Sequence, residues 1–137
     1  MANALYPKWK EAALQASANS DLAGTGTTGV YALLVDTGVY TYNAAHQYYS
    51  DLTGIVGTEV EITTKTFTNG AFDGADVTFT AVSGATVETI ILFRKNAGAN
   101  TTWRLIGYLD TGFTSLPVTP NGGNITVQWS ASGIFTL

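Results

Sequence analysis

The chain of 137 residues contains no cysteine and a single histidine, His46. The missing thiols remove disulfides, thiolate metal sites and cysteine nucleophiles together. Charge is also scarce, at 12% of residues, and it is unbalanced toward acid, with a net charge of -4. Lys8, Lys10, Lys65, Arg94, Lys95 and Arg104 are too few and too scattered for the basic patch that exchanges counterions for phosphate contacts, so no nucleic-acid partner is expected. An uninterrupted apolar run of about 20 residues is absent as well, which argues against a membrane span. Lys8 and Lys10 are not followed by the apolar core of a secretion signal, so the chain is expected to begin in a cytoplasm.

What remains is apolar and neutral. AVILMFWYC residues make up 45% of the chain, a share that does not fit disorder, which requires low hydrophobicity and high charge. Threonine and the aromatics suit a pleated, half-buried surface. A surface rich in Thr, Asn, Gly and Ser also loses little charge solvation when it docks on another protein.

Three regions are expected from the pattern. Residues 1–20 form an extended arm and a short helix. Pro7 suits a first helical turn, and Lys8–Ala16 places Trp9, Ala12, Ala13 and Ala16 on one face. A helix this short must dock, either on its own sheet or on a partner. Residues 21–29 read as a Gly/Thr linker, and residues 30–137 as a β domain. Strands are expected at Val30–Asp36, Thr58–Phe67, Val77–Val82, Val87–Arg94, Thr102–Asp110 and Ile125–Ser130, separated by Asn/Gly turns. Asn43–Leu52 is the one interior stretch with helical character. Many short strands with such turns predict an all-β single domain, a β-sandwich of jelly-roll type.

Patterning divides the strands. Ile125, Val127 and Trp129 alternate with polar residues, as on a sheet with one wet face. Val87–Phe93 and Trp103–Leu109 are apolar at odd and even positions alike. Such strands are covered twice, by the chain's own helix and loops or by a second subunit.

Several motifs imitate chemistry. Asp36-Thr37-Gly38 and Asp110-Thr111-Gly112 match the carboxylate motif of aspartic proteases, in which two acids share a proton. The chain is too short for two lobes and carries one motif too many for a one-lobe dimer, so strand-ending turns are the better reading. Gly24–Gly29 spells G-x-G-x-x-G, but a helix precedes it and a strand follows, the reverse of a dinucleotide site. Asn69–Asp76 offers oxygen ligands without the alternating acids of a calcium loop. Glu59 and Glu61 share a strand face without any sign of a substrate groove. His46 has no second histidine or nucleophile to work with. No cofactor, metal or catalytic residue is expected.

Three segments carry a resemblance: Ala4-Leu5-Tyr6-Pro7-Lys8-Trp9-Lys10-Glu11-Ala12, Ala71–Thr80 (AFDGADVTFT) and Leu116–Ile125 (LPVTPNGGNI). In these the chain resembles small virion structural proteins of tailed bacteriophages. The resemblance implies a capsid cement or decoration protein that binds the major capsid protein and associates as a homodimer or homotrimer. It places the chain on the virion surface after assembly in the host cytoplasm, and it brings no catalytic or ligand residues. Tyr6, Trp9, Tyr40, Tyr42, Tyr48, Tyr49 and Trp103 are the candidate contact residues, because aromatic anchors concentrate at interface centres. A tail, baseplate or fibre module that binds a host receptor, with the same aromatics stacking on sugars, is the alternative.

Overall fold

The run Val30–Val35 is apolar at nearly every position, so it needs cover on both faces. The computed structural model describes residues 2–137, and there this run forms β2 of a five-stranded antiparallel sheet. In chain order the strands are β1 (Ala4–Leu5), β2 (Val30–Val35), β3 (Ile55–Glu61), β4 (Ala71–Phe72), β5 (Val77–Phe79), β6 (Thr89–Arg94), β7 (Arg104–Leu109), β8 (Ile125–Val127) and β9 (Phe135–Thr136). The main sheet runs β1-β7-β6-β2-β3, and β4-β9 and β5-β8 form two separate antiparallel ribbons. One helix, α1 (Pro7–Leu14), completes a mainly-β fold. Among the described residues no helix is long and apolar enough to cross a membrane.

Register assigns the two faces of the sheet. Tyr31, Leu33 and Val35 stand opposite Phe93, Ile91 and Thr89, with Tyr108 opposite Ile91 on the far side. Ala32 and Leu34 stand opposite Leu92 and Ile90, and Gly107 and Leu109 continue that face. Alternation along each strand keeps the two sets apart. The loop between Tyr40 and Leu52 lies over the first face, with Tyr42 5.3 Å from Tyr108 and Tyr49 4.9 Å from Phe93 between ring centroids. The β4-β9 ribbon, together with Trp9 of α1, borders the second. Ile134 and Phe135 line one groove with Leu5 and Leu109, and Trp9 meets Phe135 edge-on at 5.9 Å. Ile90, Ile91, Leu92 and Phe93 are therefore fully buried within a single chain. Cover for the two-faced strands is intramolecular, which removes the need for a second subunit on that ground.

The N-terminal segment is part of this body. Ala4 and Leu5 pair with Tyr108 and Gly107, and the Tyr6 amide donates to the Ile106 carbonyl at 2.9 Å. The stretch expected as a linker is tied down too. The buried Arg94 side chain donates to the Asp21 carboxylate (2.7 Å), the Asp21 carbonyl (3.1 Å) and Asn19 Oδ1 (3.2 Å). The Gly26 amide donates to Glu61 at 2.7 Å, and the Lys65 ammonium donates to the Gly24 carbonyl.

Several elements are shorter than the sequence pattern predicts, for a shared reason. The helix stops at Leu14 rather than Ala16, because Ala16 turns into the left-handed region (φ 51°). Left-handed Ala81 (φ 48°) follows β5, which ends at Phe79, and Thr64 (φ 54°) lies just past the end of β3. The expected helical character of Asn43–Leu52 reduces to a 3-10 turn at Tyr49–Asp51. There Asn43 Oδ1 accepts from the Ala45 amide, and Asp51 Oδ2 accepts from the amides of Gln47 and Tyr48. Side chains that capture the backbone in this way compete with helix.

Leu92→Ala is expected to cost about 2–5 kcal/mol, whereas Leu14→Ala, at a side chain 90% exposed, should change stability by less than about 0.5 kcal/mol. Urea unfolding of the two variants checks the contrast.

Candidate interaction surface

Aromatic rings are used here before a partner can reach them. Tyr6, Trp9 and Tyr40 expose only 0%, 3% and 2% of their surface. Tyr6 donates or accepts with the Tyr40 hydroxyl at 2.8 Å, and Tyr40 in turn meets His46 Nδ1 at 2.9 Å. The Trp9 indole donates to the Ser20 carbonyl at 2.9 Å. These three rings belong to the chain's own core.

The other four candidates are half-buried: Tyr42, Tyr48 and Tyr49 lie along the loop that covers the first sheet face, and Trp103 lies just before β7. Tyr42 packs between Tyr6 and Tyr108. Tyr49 and Trp103 meet edge-on at 5.3 Å, and Trp103 stacks on Phe93 at 6.0 Å. The Trp103 indole donates to the carbonyls of Asn96 (3.2 Å) and Gly98 (3.0 Å), which fixes the ring. Tyr48 lies beneath the Arg104 guanidinium at 5.8 Å. Tyr31 and Lys95, which the sequence pattern did not single out, complete the rim. The Lys95 ammonium sits 4.4 Å from the Tyr31 ring centre and 5.0 Å from that of Trp103, and it pairs with Glu59 at 2.5 Å. Tyr31 precedes alternating β2 core residues, and Lys95 follows the last residue of β6, so only the sheet register brings them together.

Burial governs the phenols. It pushes Tyr6 far above the ordinary tyrosine range, and the hydrogen bond to Tyr40 adds to the shift. Burial also raises Tyr31, Tyr40, Tyr49 and Tyr108, reinforced by Glu61 at Tyr31 and by Glu59 at Tyr49. The Asp51 carboxyl is held below its usual value by the Tyr48 amide. Burial raises Glu59, but the Lys95 pair outweighs it and the net shift is downward.

The motifs that imitate chemistry resolve into turns and caps. Asp36 Oδ1 accepts from the Gly38 amide at 2.7 Å, and Glu88 accepts from the Thr37 amide at 2.9 Å. Asp36 and Asp110 leave β2 and β7, which β6 separates in the sheet, and the Asp110 amide donates to Asn3 Oδ1 at 2.6 Å. In the glycine-rich stretch the Glu61 carboxylate occupies the Gly26 amide that a phosphate would need. Asp73 and Asp76 accept from the amides of Gly74 and Trp129. Among the described residues no group of three or more His, Asp or Glu side chains is placed to hold a metal ion.

Apolar surface is left in a few places. Among the described residues Leu14 (90%), Leu137 (71%) and Val39 (60%) are the most exposed large hydrophobic side chains, and a groove of about 340 Å³ runs between Trp9, Lys10, Ala13, Leu14 and Leu137. Beside it, across α1, lies a polar groove of about 320 Å³ lined by Lys8, Glu11, Gln15, Ser17, Gln47 and Arg104. Comparison with protein-family models gives no match, and no curated protein is significantly similar to the chain.

The raised phenols predict an alkaline limit. Their folded-state proton is retained where the unfolded phenol, near pH 10, releases it, so their contribution is complete below about pH 10 and is lost as pH rises further. Tyrosinate absorbance and near-ultraviolet circular dichroism, followed together from pH 9 upward, should show the buried phenols of Tyr6, Tyr40 and Tyr108 ionising only within the unfolding transition. Smooth ionisation with tertiary structure intact would contradict their burial.

Proposed function

We propose that the protein is a structural component of a bacteriophage virion that docks on the outer face of the capsid as a cement or decoration protein. In this reading the fold is a jelly-roll-like β-sandwich, the partner is the major capsid protein, and the chain acts as a homodimer or homotrimer without catalysing a reaction. The observation that carries the proposal is a rigid, intramolecularly packed domain that still offers fixed, half-buried rings at Tyr42, Tyr48, Tyr49 and Trp103 on a weakly charged surface. Preformed aromatic contacts lose little side-chain freedom on docking, which suits a protein that must add only a few kcal/mol per site over many sites of a lattice. The likeness of the three quoted segments to phage virion proteins points the same way.

The Tyr49–Trp103 pair favours a second reading, a tail or fibre module whose half-buried rings contact a host glycan. Copy number separates the two. Quantitative mass spectrometry of separated heads and tails should find hundreds of copies on heads if the chain is a cement protein. Tens or fewer confined to tails would overturn the capsid reading.

A further inference from the structure

The net charge of -4 hides an uneven distribution of cations. Lys65, Arg94 and Lys95 are committed to the Gly24 carbonyl, Asp21 and Glu59. Lys8, Lys10 and Arg104 remain, and two of them, Lys8 and Arg104, line the polar groove beside α1. Glu11 is the one acid lining it, paired with Lys8 at 3.2 Å in an exposed contact of little strength. Gln15 and Gln47 add amide groups to the same walls.

Arg104 is held ready. Its Nε donates to the Ala18 carbonyl at 3.2 Å, and its guanidinium lies over the Tyr48 ring. Both contacts fix the plane of the group without using its two terminal nitrogens. A guanidinium restrained in this way has lost part of its side-chain freedom before any ligand arrives, and its fork geometry matches the two oxygens of a carboxylate.

We propose that this groove is a carboxylate-binding site that receives an Asp or Glu side chain of a partner protein, with Arg104 contacting both oxygens and Lys8 turning from Glu11 to the incoming charge. The groove volume, about 320 Å³, is ample for an Asp or Glu side chain. Charge complementarity selects an acidic partner segment, and Tyr48 supplies apolar contact beside the charged pair. The inference rests on the reading that the domain docks on another protein, and it adds what that protein must offer.

The test is a titration of the isolated full chain, isotopically labelled, with an acetylated and amidated Glu-Leu-Glu peptide, followed by NMR. Shifts should concentrate at the Arg104 Nε–H, the Gln15 and Gln47 side-chain amides and the backbone near Lys8, and they should fade as salt rises. Arg104→Lys, which keeps the charge but not the fork, should weaken binding about tenfold, and Lys8→Gln, at an exposed position, about threefold. Shifts spread over Lys10, Lys65 and Lys95, or unchanged binding in both variants, would overturn the site. Inorganic phosphate that binds the same residues more tightly than the peptide would overturn the protein carboxylate as its ligand. Because the peptide replaces the partner, a negative titration removes the groove alone, whereas the particle count decides the virion reading separately.

Discussion

A strand that is apolar on both faces must be covered twice, and the rest of this structure follows from where the cover comes from. β6 carries Ile91 and Phe93 on one face and Ile90 and Leu92 on the other, all without solvent contact. The chain covers one face with the loop from Tyr40 to Leu52, and the second is bordered by the β4-β9 ribbon and Trp9. Each cover is pinned by polar bonds at its margin: Tyr6 to Tyr40 to His46 on one side, the Trp9 indole to Ser20 on the other. No buried side-chain nitrogen or oxygen among the described residues lacks a hydrogen-bond partner, which is the condition for burying tyrosine and arginine at low cost.

That arrangement divides the aromatics by role. Tyr6, Trp9 and Tyr40 complete the core, and Tyr42, Tyr48, Tyr49 and Trp103 stay partly in solvent. Tyr6 and Trp9, on the arm and helix, are core residues because β1 adds to β7 and so brings them over the sheet. Tyr48 and Trp103 stay at the margin because they flank the Tyr48–Arg104 bridge, where the loop rejoins the sheet. Arg104 shares that place, so one junction sets both the aromatic rim and the polar groove beside α1.

Much of the main sheet was legible in the sequence. Val30–Val35, Thr89–Arg94 and Arg104–Leu109 fall within the strands that the apolar runs predict, since full burial leaves no other composition. The ends were not legible where a left-handed alanine or threonine stops an element, because Ala16, Ala81 and Thr64 carry none of the glycine or asparagine signal for that conformation. The pairing of Ala4–Leu5 with β7 was hidden too, since two residues carry no period. The candidate contact residues were chosen by ring type, which cannot separate Tyr6 from Tyr48; only their packing in the folded chain does. The polar groove rests on Lys8, Gln15, Gln47 and Arg104, positions that only the packing of α1 across the end of β7 brings together.

Intramolecular cover of both sheet faces is most directly tested by whether one chain folds on its own. Urea unfolding of the isolated chain should be followed by near-ultraviolet circular dichroism at about 1 μM or below, where sedimentation shows it monomeric. If the Tyr40–Leu52 loop, the ribbon and the helix cover the sheet within one chain, the monomer keeps its tertiary signal and unfolds in one cooperative transition, and association at higher concentration only raises the midpoint by mass action. A monomer without tertiary structure, which folds only as it associates, would contradict self-sufficient cover.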